Sequence, residues 1–229
     1  MISFQWHPER PHALAAITAH TACVYGCAWS PHDGDLIASA SGDGHVRLFD
    51  LRVGGGAAPS VVGGPTPGTN YQAVATVPVG GEVLSLDWNK YRPMTIATGS
   101  TDRSVKVWDL RKVGAAGIKP GVVGADATMS AALLGHEYAV RKVAWSPHSA
   151  SLLCSASYDM TARIWDVDAA QSAAFGAAAM PRPGQPGALR KIHDNHTEFV
   201  VGVAWALFQE GLVASCAWDC ETHLWNALA

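Results

Sequence analysis

One spacing recurs four times along the chain. In each copy a Trp is followed fourteen residues later by an Asp, and six residues further by an aromatic residue with Asp or Asn behind it. The copies are Trp29, Asp43, Phe49-Asp50; Trp88, Asp102, Trp108-Asp109; Trp145, Asp159, Trp165-Asp166; and Trp205, Asp219, Trp225-Asn226. A spacing held this strictly is an internal repeat, so each copy predicts one structural unit that stacks on its neighbours.

Strand patterns lie inside every copy. Apolar runs rich in β-branched residues lead into the first Trp, and a second set precedes the Asp. The first strands are predicted over 24–29, 83–88, 140–145 and 200–205, the second over 36–40, 95–99, 152–156 and 212–216, and the third strands end at the aromatic-Asp or aromatic-Asn pair. The Trp-Asp ending resembles that of WD40 units, each a four-stranded blade of a β-propeller. The resemblance implies an all-β propeller with about four blades present, as part of a seven-bladed ring.

A second set of positions recurs with the first. Nine residues before the first Trp stands a His in three copies and Val79 in the other, and four residues before the Asp stands a Ser or Thr. In the WD40 family these side chains and the second Trp form a hydrogen-bonded chain, which a buried carboxylate needs. The predicted network contains His20, Ser39, Asp43, Thr98, Asp102, Trp108, His136, Ser155, Asp159, Trp165, His196, Ser215, Asp219 and Trp225. Ser, His and Asp also form hydrolase triads, but a triad is built once per site and this set recurs, so no catalytic residue is predicted.

The units are spaced more widely than is typical of WD40 repeats. Steps between the Asp residues are 59, 57 and 60 residues, against a usual period of about 40–45. Three Gly/Ala/Pro-rich runs, 53–69, 113–129 and 169–187, contain the excess, and their composition predicts flexible loops. A helix over 169–179 is the alternative for the third run because of its alanines. The predicted units are 17–52, 74–111, 131–168 and 189–229, with the loops on the face opposite the histidines.

Both ends of the chain fall inside the repeat pattern. Trp6 stands fourteen residues before His20, where the last Trp of a preceding repeat is expected, so residues 1–16 are interpreted as a remnant of an earlier blade. The chain stops three residues after Asn226, which predicts a last unit without its fourth strand. We therefore expect the C-terminal part of a longer propeller. An intact four-bladed ring closed by residues 1–16 is the alternative.

Composition excludes several function classes. The net charge of -3 and the charged fraction of 15% provide no basic surface for nucleic acid or anionic membrane. No run approaches eighteen apolar residues, and the first residues lack the basic and apolar regions of a secretory signal, which predicts an intracellular protein. We therefore expect neither nucleic-acid binding nor membrane insertion.

Cysteines and one histidine pair are the remaining candidates for chemistry. The five cysteines are Cys23, Cys27, Cys154, Cys216 and Cys220. They are expected to be reduced thiols that help fill the core, although Cys216 and Cys220 flank one turn and could approach each other. His193-Asp-Asn-His196 contains residue types found in metal sites, but His196 already belongs to the repeat network. Capping and turn formation is the interpretation of this segment, and no metal ligand or cofactor is predicted.

Sequence between the repeat positions is more specific than the spacing. Gly135-His-Glu-Tyr-Ala-Val-Arg-Lys-Val143, Ser155-Ala-Ser-Tyr-Asp-Met160 and His196-Thr-Glu-Phe-Val-Val-Gly202 resemble the C-terminal blades of the peroxin-seven family, receptors for the type-2 peroxisomal targeting signal. The resemblance extends from Trp6 to Trp225 outside the three runs. It implies a receptor in the cytosol and peroxisome matrix that binds the short N-terminal helical signal of cargo enzymes. A peroxin-five-type co-receptor is the implied partner.

The same family assigns a rim around the central opening of the ring. Residues three and five after the loop His, and the residue before the turn Asp, point toward it. The predicted rim contains Tyr25, Glu82, Arg141, Tyr158, Glu198, Phe199 and Trp218. Its aromatic rings suit the apolar stripe of an amphipathic helix, and its glutamates suit a basic residue of that helix. The alternative is that several of these residues only cap strand ends.

A different function class is indicated by Trp108-Asp-Leu-Arg111. This segment fits the Trp-Asp-x-Arg pattern of WD40 substrate receptors of cullin-type ubiquitin ligases, and Phe49-Asp-Leu-Arg52 nearly does. The pattern is short, and every repeat already ends in a similar pair, so chance produces it often. A ligase substrate receptor and a scaffold without cargo specificity are therefore the alternatives to an import receptor.

Overall fold

The computed structural model describes residues 2–5, 15–52, 71–111, 129–175 and 188–229. These residues form antiparallel sheets, and within them one helix is present. The first sheet pairs β1 (Ile2–Gln5) with β2 (Ala15–Ile17). The all-β class expected from the repeat is confirmed.

Three four-stranded sheets and one three-stranded sheet follow in chain order. The first of them consists of β3 (Val24–Trp29), β4 (Leu36–Ser41), β5 (His45–Asp50) and β6 (Ala75–Pro78). The second consists of β7 (Val83–Trp88), β8 (Thr95–Ser100), β9 (Val105–Asp109) and β10 (Met129–Leu133). The third consists of β11 (Val140–Trp145), β12 (Leu152–Ser157), β13 (Ala162–Asp166) and β14 (Leu189–His193). The last consists of β15 (Val200–Trp205), β16 (Leu212–Ala217) and β17 (Thr222–Asn226).

We call these four sheets blades one to four. The first strand of every blade has the predicted bounds, and the second strand extends one residue further than predicted. Each long run lies between the third and fourth strands of its blade, as expected from its place after the aromatic-Asp pair. β1 pairs with β2, and within the described residues β17 pairs with β16, so the pairing of residues 2–5 with the last blade is not observed.

The loop prediction for 169–187 is wrong over its first part. Helix α1 (Val167–Phe175) begins directly after β13, so the helical alternative holds over 169–175. Asp166 Oδ1 accepts hydrogen bonds from the backbone N–H groups of Asp168 (3.1 Å) and Ala169 (3.3 Å), which caps the helix N-terminus. Alanines then propagate the helix at little entropic cost. Met129, predicted as loop, begins β10, and the other residues of the three runs lie outside the described residues.

Hydrophobic core lies between neighbouring blades. Between blades three and four, Cys154 and Ile164 pack against Val213 and Trp225. The other blade pairs contain equivalent clusters. Two indoles also form hydrogen bonds across the joints, since the N–H of Trp88 donates to the Ala28 carbonyl and that of Trp205 to the Ala144 carbonyl, both at 3.0 Å. Each blade is therefore stabilised by its neighbours, as stacked repeats require.

The network predicted from the repeat positions is most complete in blade three. His136 Nδ1 lies 2.7 Å from Asp159 Oδ2, and His136 Nε2 lies 2.7 Å from Ser155 Oγ. The Trp165 indole N–H donates to the same Ser155 oxygen at 2.7 Å. Asp159 also accepts from the backbone N–H groups of Glu137 and Thr161, both at 3.1 Å. Three elements, β12, β13 and the loop before β11, are thereby joined through buried side chains.

Blades one and four contain the same two histidine contacts. His20 lies 2.9 Å from Asp43 and 2.6 Å from Ser39. His196 lies 2.8 Å from Asp219 and 2.9 Å from Ser215, which also accepts the Trp225 indole N–H at 3.1 Å.

Blade two lacks the loop histidine and is joined differently. Lys106 Nζ donates to Asp102 Oδ2 at 2.7 Å and to the carbonyl oxygen of Val79 at 2.5 Å. The hydroxyl groups of Ser100 and Ser104 also donate to Asp102, and the Trp108 indole N–H donates to Thr98 at 2.9 Å. A lysine amine therefore takes the place of the imidazole as the link between the turn carboxylate and the loop.

Asp159 makes the stability of blade three depend on pH. Burial raises its pKa, but hydrogen bonds from His136, Thr161 and the Glu137 backbone outweigh burial and hold that pKa well below its usual value. The folded-state pKa is therefore below the unfolded value of about 3.9. The stabilisation is present above the unfolded pKa and is lost as the pH falls toward the folded pKa.

We expect Asp159→Asn to lower the free energy of unfolding by about 1–3 kcal/mol at pH 7, because it removes a buried anionic acceptor from several donors. The difference in unfolding free energy between the variant and the parent should become smaller as the pH falls from about 5 to 3. Urea unfolding at several pH values measures both effects. Asp35→Asn, at a half-exposed carboxylate, is the control and should change stability by less than about 0.5 kcal/mol. If this difference stayed constant between those pH values, the assignment of Asp159 as a buried anionic acceptor would be contradicted.

One flank of blade four is open in the described residues. Ile164 in β13 pairs with Cys154, and Leu224 in β17 pairs with Ala214 at the equivalent place. Ile164 is 0% exposed because blade four covers it, whereas Leu224 is 71% exposed. Ile164 and Leu224 therefore lie on the same face of their blades. This face is covered in blade three and open in blade four.

Ile164→Ala should cost about 2–5 kcal/mol of unfolding free energy through lost burial and the cavity it leaves. Leu224→Ala should cost less than about 0.5 kcal/mol, because its side chain already contacts solvent. Urea denaturation of both variants makes the comparison. Equal losses would show that another surface covers Leu224 in solution.

Candidate functional site

One face of the molecule is built from the same contact in all four blades. A backbone N–H of the turn between the second and third strands donates to a carbonyl of the loop before the first strand. The pairs are Gly42 to Cys23 (2.8 Å), Thr101 to Glu82 (3.0 Å), Tyr158 to Ala139 (3.1 Å) and Trp218 to Phe199 (3.1 Å). This bond brings the residue before each turn Asp beside the residue three after the loop His. We call this surface the loop–turn face.

An aromatic cluster spans blades three and four on the loop–turn face. The ring centroids of Tyr158 and Phe199 lie 5.1 Å apart, those of Phe199 and Trp218 5.3 Å, and those of Tyr158 and Trp218 6.2 Å. Trp218 is 61% exposed, and Tyr158 and Phe199 are partly buried. We call these residues the aromatic triad. Exposed aromatic groups of this kind are enriched in protein interfaces.

Polar groups lie on the same face at blades one and two. The Tyr25 hydroxyl donates to Glu82 Oε2 at 3.3 Å, and the charge of Glu82 raises the pKa of Tyr25. The Glu82 backbone N–H donates to Thr101 Oγ1 at 3.0 Å, which anchors the loop segment that carries this exposed carboxylate. A shallow groove beside it is lined by Gly42, Pro78, Gly80, Gly81 and Glu82. The face therefore has an apolar part and an acidic part.

Arg141 and Glu198 complete the predicted rim. The Arg141 guanidinium donates to the Leu84 carbonyl at 3.4 Å, which places its positive charge beside blade two. Glu198 is exposed beside Phe199. Leu84 occupies a rim position in the repeat, but its side chain is buried and only its carbonyl is used. Sequence position alone does not distinguish these orientations.

Two exposed apolar residues on this face were not predicted. Tyr138 lies in the loop before β11 and is 60% exposed, and Met160 follows Asp159 in the turn and is 40% exposed. Met160 has a left-handed backbone with φ of 65°, which directs its side chain outward from the turn. Neither residue fits the repeat rule for the rim: Met160 follows the turn Asp instead of preceding it, and Tyr138 stands two residues after the loop His, the position that Glu198 occupies in blade four.

Among the described residues, three histidines form a group that could hold a metal ion. Ring nitrogens of His193, His196 and His223 lie within 4.8 Å of one another. The sequence reading of 193–196 as cap and turn did not include His223, which comes from a different strand.

Cysteines and arginines singled out in the sequence have ordinary surroundings. All five cysteines are free, but the expectation that they fill the core is wrong for Cys23, Cys27 and Cys220, which are exposed, and holds for buried Cys154. Burial raises the pKa of the Cys154 thiol. Arg111 pairs with Asp109 at 2.9 Å and Arg52 with Asp50 at 2.8 Å, both after the third strand and away from the loop–turn face. No helix among the described residues is long and apolar enough to cross a membrane.

Comparison with known proteins agrees with this architecture. The model of the WD domain, G-beta repeat, matches residues 11–50, 74–109 and 128–166. A Peroxisomal targeting signal 2 receptor of Saccharomyces cerevisiae is 35% identical over 94% of this chain and 56% of the relative. The Komagataella phaffii receptor of the same name is 35% identical over 89% of this chain and 50% of its own length.

Other relatives widen the comparison. The Dictyostelium discoideum protein named Peroxisomal targeting signal 2 receptor is 33% identical over 82% of this chain and 74% of its own length. Protein transport protein sec13 of Emericella nidulans is 34% identical over 66% of this chain. The chain spans about half the length of the Saccharomyces and Komagataella relatives. The resemblance seen in the sequence is confirmed: the chain belongs to the WD40-repeat family and, within it, to the family of the peroxisomal targeting signal 2 receptors.

Proposed function

We propose that this chain forms the signal-binding part of an import receptor for the type-2 peroxisomal targeting signal. Relatives in three genera have that signal in their names. The observation that supports the proposal in this chain is the aromatic triad on the loop–turn face, with Trp218 exposed. On this proposal the triad receives the apolar stripe of the signal helix.

Helix geometry fits the arrangement of apolar and acidic groups. Apolar residues at i, i+3, i+4 and i+7 form one stripe along a helix, and recognition grooves read such a stripe as a row of anchors. Trp218 and Phe199 supply rings of large contact area, which are frequent hot spots of binding. Glu82 and Glu198 then lie beside the stripe, where a basic residue of the signal gains an ionic partner.

Further properties belong to the same proposal. Cargo enzymes carrying the signal and a peroxin-five-type co-receptor are the partners, and the receptor moves between the cytosol and the peroxisome matrix. We propose no catalytic function, since each Ser–His–Asp set recurs as a structural link between the loop, the turn and the second strand of its blade. Binding, rather than chemistry, is therefore the proposed activity.

The test is a chimaera in which residues 1–229 replace the matched segment of the Saccharomyces relative. Glu82→Lys should weaken binding of a fluorescent type-2 signal peptide by at least about tenfold, because reversing a partly desolvated charge costs about 2–5 kcal/mol. Trp218→Ala should weaken it similarly through loss of an aromatic anchor. Arg111→Ala, away from the loop–turn face, is the matched control and should leave the affinity unchanged.

Fluorescence anisotropy gives the affinities, and import of a signal-bearing reporter in yeast cells lacking the relative gives the cellular effect. A loss of binding in Arg111→Ala with no change in Glu82→Lys would contradict the assigned face. Capture of a ligase adaptor instead of cargo enzymes from cell extract would favour the ubiquitin-ligase alternative.

A further inference from the structure

Two repeat positions change to histidine in blade four. The first lies three residues before the loop His. It is Ile17 before blade one and Leu133 before blade three, both buried, but it is His193 before blade four. An imidazole thus stands where blades one and three have a buried apolar side chain and blade two has Thr76.

The second position lies four residues after the turn Asp. It is a cation in the first three blades, where Arg47, Lys106 and Arg163 pair with their turn carboxylates. In blade four it is His223, which pairs with Glu221 instead. Both departures from the repeat therefore exchange a scaffold residue for a nitrogen ligand.

These two histidines meet across the joint between blades three and four. His193 Nε2 in β14 lies 2.9 Å from His223 Nδ1 in β17. Two ligand nitrogens on one tetrahedral zinc ion stand about 3.3 Å apart, given zinc–nitrogen distances of about 2.0–2.1 Å. Zinc binding would move the His193 proton from Nε2 to Nδ1, and a rotation of the two rings would then let both free nitrogens share the ion.

A third imidazole lies against this pair. The His196 ring stacks on His223 with centroids 3.9 Å apart, and His193 stacks on Trp225 at 4.8 Å. His196 Nε2 accepts from the Ser215 hydroxyl, and Ser215 keeps the Trp225 N–H as a second partner. For an ion to bind this nitrogen, the Ser215 hydroxyl must turn away, because an ion about 2.0–2.1 Å from Nε2 would otherwise overlap its oxygen. The His196 ring must also tilt out of its stack on His223, while Ser215 keeps the Trp225 N–H as its partner.

Carboxylates orient two of the three rings. Glu221 Oε2 lies 2.9 Å from His223 Nε2, and Asp219 Oδ2 lies 2.8 Å from His196 Nδ1. Each carboxylate holds one ring nitrogen as a donor and leaves the other nitrogen as a lone pair. Metal-binding histidines are characteristically oriented by such second partners.

We propose that His193, His196 and His223 bind a zinc ion at the joint between blades three and four. Imidazole nitrogens favour zinc and similar transition metals over magnesium or calcium, which prefer oxygen ligands. Three protein nitrogens leave a fourth position for water. Because the ligands come from both blades, the ion acts as a clamp between them and raises the stability of the last blade.

The repeat itself supplies variants that retain the scaffold. His193→Leu introduces the residue of position 133, and His223→Arg introduces the residue of positions 47 and 163. In EDTA both variants of the full chain should melt at or above the parent temperature. With zinc chloride, calorimetry should give one zinc per parent chain and at least a tenfold weaker affinity for each variant. Glu221→Gln should weaken zinc binding about tenfold, whereas His45→Gln should not.

Cobalt separates the imidazole site from the free thiols. The parent chain loaded with cobalt chloride should show visible absorption of a tetrahedral ion without the thiolate charge-transfer band. Loss of that absorption in His193→Leu, with zinc raising the melting temperature of the parent alone, would support the site. A thiolate spectrum, no zinc binding by the parent, or unchanged zinc affinity in both variants would overturn it.

Discussion

The buried carboxylate of each turn is the interaction on which the architecture depends. An ionised Asp is tolerated inside a blade only when several donors surround it, and those donors come from the loop, the turn and the strands. In blade three, His136 bridges the Asp159 carboxylate and the Ser155 hydroxyl, and the Trp165 indole N–H donates to the same hydroxyl oxygen. The carboxylate therefore fixes where the loop lies relative to the turn, and that relation creates the loop–turn face.

The scaffold leaves a few positions free to carry function. Residues beside the loop–turn hydrogen bonds are not needed by the network, and in blades three and four three of them are the rings of the aromatic triad. His193 and His223 occupy positions that do belong to the scaffold, where apolar or cationic residues stand in other blades. A recognition surface and a metal site thus arise in different ways from one repeat.

Strand bounds and network partners could be predicted from sequence because the spacing fixes the register. Rim positions could be proposed, but the orientation of Leu84 could not, since burial depends on the neighbouring blade. Helix α1 was not the favoured prediction because its Asp166 cap belongs to the preceding strand. The meeting of His193 and His223 depends on contact between blades, and the replacement of a histidine by Lys106 depends on side-chain reach. Neither the His193–His223 contact nor the role of Lys106 can be predicted from the spacing of the repeat.

The central claim is that the loop–turn face of blades three and four receives the signal helix. Hydrogen–deuterium exchange of the chimaera, with and without a type-2 signal peptide, tests it directly. The account predicts slower amide exchange in the loops and turns at 137–141, 158–161, 197–201 and 218–221. Slower exchange confined to the opposite face, around 89–92, 109–111 and 147–151, would contradict it.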